Sequence, residues 1–176
     1  MTYTHGVGVG VDSILDAAGV ARRSLYQHFG GKDQLIAEVL RTTADRDVQR
    51  YREALDRGGT DARARILALF DAVYSAVAQP NFHGCRYTAA DLALTDPSHP
   101  AHVETKNYKQ RLHDLLNTEL HHLGHAEPAA AADQLLLLID GILATAVGQG
   151  GRRAKQAAQG LVAHVLDAAG RPAGSR

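Results

Sequence analysis

The chain has 176 residues, 45% hydrophobic and 22% charged, with 19 basic and 19 acidic side chains and no net charge. That length and composition suit one compact chain, or a small N-terminal module sharing a core with a larger body. The charge balance excludes a generally basic surface, so any contact with nucleic acid must be local. The single cysteine, Cys85, excludes an intrachain disulfide framework and fits a reducing cytosol. The first residues lack the basic start and apolar run of a signal peptide. The apolar segments 135–139 and 142–147 are interrupted by Asp140 and Gly141, which makes each too short to span a bilayer. A cytoplasmic protein without a membrane partner is the expectation.

Helical periodicity dominates and β-branched alternation is nearly absent, which predicts an all-α chain of about eight or nine helices. Met1–His5 reads as the end of a helix, broken by Gly6, Gly8 and Gly10. Val11–Ala18 is a short helix with Ile14 and Leu15 facing inward, and Arg22–Phe29 is a second. A long third helix runs from Lys32 to about Leu55, with Leu35, Val39, Val48, Tyr51 and Leu55 along its inner stripe, and Gly58-Gly59 ends it. Thr60 or Asp61 caps the next, which extends to about Gln79, where Pro80-Asn81 stops it. Cys85–Leu94 is helical, and Asp96-Pro97-Ser98-His99-Pro100 is a loop. Ala101–Leu123 is a long amphipathic helix ended by Gly124. Pro128 opens another that reaches about Gly148, and Gly150-Gly151 separates it from a last helix to about Ala168. The tail Gly170–Arg176 is expected to fray.

The most informative stretch is Ser13–Lys32. Two short helices meet at Ala18-Gly19-Val20, where a glycine permits a sharp turn, and Ile14, Val20 and Leu25 are spaced to pin them together. Between Gly19 and Lys32 stand three cations, Arg22, Arg23 and Lys32, and no acid. Arg22, Arg23 and Ser24 open the second helix, the end that enters a major groove. Arginine suits bidentate contact with guanine, and serine reaches bases or phosphates. Tyr26, Gln27 and His28 are placed to donate to phosphates, and Lys32 begins the third helix, whose free N–H groups attract an anion. Singly, each of these residues favours a structural role. It is their order as a block that points to a helix-turn-helix DNA reader.

The block Ile14–Leu35 resembles the DNA-binding domain of TetR-family transcriptional regulators. The residues that carry the resemblance are Ile14-Leu15, Ala18-Gly19-Val20, Leu25-Tyr26-Gln27-His28-Phe29 and Lys32-Asp33-Gln34-Leu35. More loosely, Gly84-Cys85-Arg86, the Asp96-Pro97 loop and Ile139-Asp140-Gly141 also resemble the family's body. The resemblance implies that Arg22, Arg23 and Ser24 reach bases while Tyr26, His28 and Lys32 hold the backbone. It also implies a helix-turn-helix domain over 1–45 and a helical effector-binding and dimerising domain over 46–176. Three departures stand out. Gly10 and Ala21 occupy positions where the family caps its helices with a hydroxyl, and a lost cap costs about 1 kcal/mol. The family also has a full helix before the motif, of which only Met1–Gly6 is present. Two explanations stand: the natural start lies upstream, which is favoured, or the chain is a helical ligand-binding dimer whose DNA binding was lost with that helix.

In the body, Phe70, Val73, Tyr74, Tyr87, Leu92, Tyr108 and Leu112, with Leu69 beside them, are candidates to line a cavity for a small apolar organic effector, against an even prior that they only fill the core. The broad apolar faces after Pro128 suggest a homodimer interface through a four-helix bundle, with Leu135, Leu138, Ile139, Ile142, Leu143, Leu161 and Val165 as candidates. Ten histidines form close groups (His83 with Cys85, His99 with His102, His121-His122 with His125), but without a paired-cysteine or HExxH pattern they read as solvated surface residues, not metal ligands. Cys85 reads as a small buried side chain. No nucleophile–base pair, paired carboxylates or phosphate-cradling loop argues for an enzyme, and Gly6-Val7-Gly8-Val9-Gly10 follows no strand, so no catalytic residue, cofactor or metal is called for. The expected partners are a double-stranded DNA operator, a second copy of the chain and the effector. The expected activity is that of an effector-responsive dimeric repressor, in which ligand binding changes the spacing of the two readers.

Overall fold

The computed structural model describes residues 7–168 and contains, among them, eight helices and no strand. The helices are α1 Val11–Ala18, α2 Arg22–Phe29, α3 Lys32–Arg57, α4 Ala62–Val77, α5 Arg86–Ala93, α6 Ala101–His122, α7 Pro128–Gln149 and α8 Gly151–Asp167. The helical reading of Met1–His5 and the fraying of the tail fall outside the described residues. The helix ends lie where local chemistry puts them. Gly19 takes a left-handed φ of 65°, and its N–H bonds the Asp16 carbonyl while Val20 N–H reaches the Leu15 carbonyl, a Schellman closure of α1. Asp61 caps α4 by accepting from Ala64 N–H at 2.6 Å, and Pro128 occupies the first turn of α7. Gly10 and Ala21 supply no side-chain cap to α1 and α2.

The chain divides into two compact units, 1–46 with 85–108, and 47–84 with 109–176. The division therefore differs from the expected single boundary after residue 45. The first break falls beside it, but α5 and the first part of α6 group with the reader helices and not with the body. Within the first unit, Leu15, Leu25, Ile36, Ala37 and Leu40 are buried, and the Tyr87 and Tyr108 rings stack with centroids 3.7 Å apart. Thr105 donates to the Tyr87 carbonyl beside that stack.

The second unit is built on the α7–α8 hairpin, with α4 packed against both helices. Its core is Ile66, Leu69, Phe70, Val73, Leu112, Leu116, Leu120, Leu135, Ile139, Val162 and Leu166. Glu119, buried in α6, receives a bidentate fork from Arg65 Nε and Nη2 at 2.8 and 2.9 Å, while Arg65 Nη1 bonds the Gly59 carbonyl and Asp56. The pairing favours the charged guanidinium, raising the Arg65 pKa against a smaller opposing effect of burial. One cation thus ties together the C-terminal end of α3, the start of α4 and α6.

Three expectations change. The inner stripe of α3 is Ile36, Leu40, Ala44 and Val48, with Leu35 half-buried and Val39 exposed, because the helix is rotated slightly from the register its largest side chains suggest. Asp140-Gly141 does not interrupt α7: the helix is continuous over 22 residues, and its most apolar window has a mean hydropathy of 1.6. By length and composition α7 could therefore cross a membrane, but here Leu135, Ile139 and Ile142 are packed inside the chain's own core, and Asp140 is neutralised by Lys109 of α6. Cys85 is half-buried at the entrance to α5 and does not cap it.

Candidate nucleic-acid interface

The turn between α1 and α2 leaves Ala21 as an extended entry to α2, so Arg22 and Arg23 stand at the helix's first turn. Leu15 and Leu25 are the buried pins between the two helices, with Ile14 half-buried. Val20, expected to join them, is 46% exposed and does not. The outward side of α2 carries Arg22, Arg23, Tyr26, Gln27 and His28, all exposed, with Ser24 half-buried. Gly30, with φ 75°, closes α2, and Leu35 N–H to the Gly31 carbonyl at 3.2 Å opens α3, where Lys32 stands half-buried in the first turn. All seven DNA-contact candidates thus sit on α2 or at the start of α3.

One feature of the site had no signal in the sequence beyond an acid at the start of α1. Asp12 Oδ1 accepts from Arg22 Nη2 at 2.5 Å, both side chains being more than half exposed. This hydrogen bond is the main cause of a raised Arg22 pKa, its charge the next, and Tyr26, one turn along α2, acts in the same direction. Among the described residues no ion pair engages Arg23 or Lys32.

The loop between α5 and α6 meets the start of α3. His99, read from sequence as a surface histidine, is 7% exposed. Its Nδ1 accepts from Ala101 N–H at 3.1 Å, so the neutral ring carries its proton on Nε2, which faces the Asp33 carboxylate at 3.3 Å. His102 has an acceptor at each ring nitrogen: Asp91 Oδ1 at 2.5 Å from Nδ1 and the Asp96 carbonyl at 3.0 Å from Nε2. Only an imidazolium donates to both, and the Asp91 bond raises the His102 pKa above its ordinary 6.5. A raised folded-state pKa means stability that is fully present below the ordinary value and is lost as pH rises through the raised one. Thermal denaturation from pH 6 to 9 is therefore expected to show the wild type losing melting temperature with pH relative to His102→Gln; parallel curves would remove this clasp. Elsewhere His125 bonds the Val165 carbonyl and Glu127 N–H. Among the described residues no three histidine, cysteine or carboxylate side chains come together as metal ligands.

The effector candidates are split between the units. Phe70, Val73, Tyr74 and Leu112 are buried in the second, where burial raises the Tyr74 hydroxyl pKa, and Tyr87 and Tyr108 are buried in the first. Leu92 leaves the set, because at 79% exposed it faces solvent from α5 and lines no interior. The dimer candidates also change. Leu135, Ile139, Ile142, Leu143 and Val165 are sequestered in their own unit's core and are not available to a partner, Leu138 is half-buried, and Leu161 alone of the set is exposed. A helix that is apolar all round buries one face in its own fold, and sequence does not say which. The outward stripes are Leu137, Gly141, Ala144 and Gly148 on α7, and Ala157, Gly160, Leu161 and His164 on α8.

A short turn joining two helices, the second exposed and basic, on an otherwise all-helical chain defines a helix-turn-helix transcriptional regulator. The family described as bacterial regulatory proteins, tetR family, matches residues 3–39. Over almost its whole length the chain is similar to a solved TetR-type transcriptional regulator from Streptomyces avermitilis, with 34% identity and a TM-score of 0.80, covering 96% of this chain and 91% of that one. The chain belongs to the TetR family of transcriptional regulators. It is also similar to the transcriptional repressor KstR2 of Mycolicibacterium smegmatis, 35% identical over 101 residues that make up 57% of this chain and 49% of that protein. The transcriptional activator FasR of the same species is 33% identical over 112 residues, 62% of this chain and 50% of that protein. The chain spans about half the length of these curated relatives.

Proposed function

We propose that the chain is a dimeric, effector-responsive repressor that acts in the cytoplasm on a double-stranded operator. The observation that carries the reading is the outward face of α2, where Arg22, Arg23, Tyr26, Gln27 and His28 project together from a short helix pinned by Leu25. Arg22, Arg23 and Ser24 read bases in the major groove, and Tyr26, Gln27, His28 and Lys32 hold phosphates. The similarity to the repressor KstR2 favours repression as the output, while the relative FasR is named an activator. The family match, which begins at residue 3, favours a DNA reader over a ligand-binding dimer that no longer reads DNA. The relatives are named for transcription control, which speaks against an enzyme. The test is enrichment from a pool of randomised duplexes: a palindromic pair of half-sites, bound with strong salt dependence, is the expected result. Enrichment of no sequence would overturn the reading.

Dimerisation uses the outward stripes of α7 and α8. Gly141, Gly148 and Gly160 have open space where a Cβ would stand, so nothing among the described residues requires a glycine there, whereas close approach of a partner helix would. Leu137, 72% exposed, is the large apolar residue between them. Leu137→Glu is expected to halve the mass found by sedimentation while leaving helical content unchanged; a dimer that persists would move the interface elsewhere. The effector, a small apolar organic molecule, is held among Phe70, Val73, Tyr74 and Leu112 of the second unit, and its binding shifts the spacing of the paired readers.

A further inference from the structure

Arg22 begins α2, the helix proposed to read DNA, yet unlike Arg23, which has no ion-pair partner among the described residues, its guanidinium is engaged. It reaches back across the helix-turn-helix to Asp12, ten positions earlier in the chain, and the contact is between Nη2 and one carboxylate oxygen. An exposed pair of this kind adds little to stability. Its consequence is geometric and electrostatic. A long side chain with many rotamers is reduced to few, and one donor of the guanidinium fork is taken while the others remain for a base edge. A negative charge also now stands beside a cation that would otherwise take any phosphate.

We propose that Asp12 is a positioning residue for sequence reading: it holds Arg22 toward a guanine edge and suppresses the use of Arg22 as a general phosphate clamp. The proposal rests on the DNA-reading function above. Tyr26, one turn along α2, also favours the charged guanidinium. Guanine offers two acceptors, O6 and N7, and an arginine fixed in one orientation distinguishes them from the donor presented by cytosine or by the adenine amino group. A free arginine gains nearly as much from a phosphate on any sequence. The carboxylate therefore exchanges general affinity for discrimination.

The experiment uses the full chain and the duplex it enriches from a random pool. Wild type, Asp12→Asn, Asp12→Glu, Arg22→Ala and the Asp12→Asn/Arg22→Ala double variant are titrated at several salt concentrations. The duplexes are the enriched one, its single-base-pair variants and an unrelated duplex of equal length. Asp12→Asn is expected to bind the unrelated duplex about 3- to 10-fold tighter, with a salt slope steeper by about one unit as Arg22 becomes a phosphate contact. It is also expected to lose about tenfold in discrimination at the base pair read by Arg22. Asp12→Glu keeps most of the discrimination, and on the Arg22→Ala background the Asp12→Asn change alters discrimination no further. An unchanged ratio of enriched to unrelated binding in Asp12→Asn overturns the proposal. So does a parallel loss of both affinities with a lowered melting temperature, which makes the pair a structural tie. A wild type that enriches nothing overturns the regulator reading itself, and this proposal with it.

Discussion

Replacing Gly58 with alanine is expected to lower the melting temperature by roughly 6–12 °C. A Cβ at this position would lie 2.4 Å from both the Cα and the N of Arg65 and 2.7 Å from the carbonyl carbon of Ala64, so all three of its near neighbours are backbone atoms. That backbone has little room to move. Asp61 caps α4 through Ala64 N–H, and the Arg65 fork is anchored on buried Glu119. Overpacking of this kind costs about 3 kcal/mol, and for a chain of this size each kcal/mol is worth about 2–4 °C. The neighbouring glycine separates sterics from backbone strain. Gly59 has φ +71° with open space around its Cβ position, so alanine there bears only left-handed strain, about 1–2 kcal/mol. Circular dichroism melts of the two variants decide the matter: if Gly58→Ala melts with or above Gly59→Ala, the close approach of the α3 end to α4 is not limiting.

Arg22→Ala and Arg23→Ala are each expected to weaken binding to the enriched duplex by about 5- to 150-fold, the worth of one bidentate base contact at about 1–3 kcal/mol. The loss should be specific, with the unrelated duplex affected far less. Arg22→Ala is expected to carry a further cost, because it leaves the exposed Asp12 carboxylate without its partner beside the proposed DNA face. Lys32→Ala should differ in kind: Lys32 sits at the start of α3 and is proposed to hold a phosphate, so all duplexes are expected to weaken alike and the salt slope to fall by about one unit. Fluorescence anisotropy across a salt series separates the two patterns. Unchanged binding in both arginine variants would remove the assignment of α2 as the reading helix.

Much of the local structure is legible from residue order. Gly19 and Gly30 close α1 and α2 in left-handed conformations, Asp61 caps α4, Pro128 opens α7, and Gly124 ends α6 with His125 N–H on the Leu120 carbonyl. Each is a contact within a few residues, so the sequence contains both partners. The candidate DNA face was legible for the same reason, since its seven residues lie within one short stretch. The partner of Arg22 was not, because Asp12 is brought to it only by the turn at Gly19. Which side of α7 faces outward was not legible either, for a related reason. Leu135 and Leu137 are indistinguishable by type, but one is fully buried in the chain's own core and the other is mostly exposed.

His99 shows the same limit. Its sequence setting, between Ser98 and Pro100, is that of a surface loop, yet the fold buries it against the first turn of α3. By itself the sequence determined the helices, their ends, the reader and its family, because helix propensity, capping and a contiguous motif are short-range properties. The tertiary structure alone decided which apolar face of α7 is core and which is left outward, that α5 groups with the reader, and which carboxylates stand against Arg22, His99 and His102. Those outcomes depend on packing between elements far apart in the chain, where burial of one face and pairing of one charge are settled together.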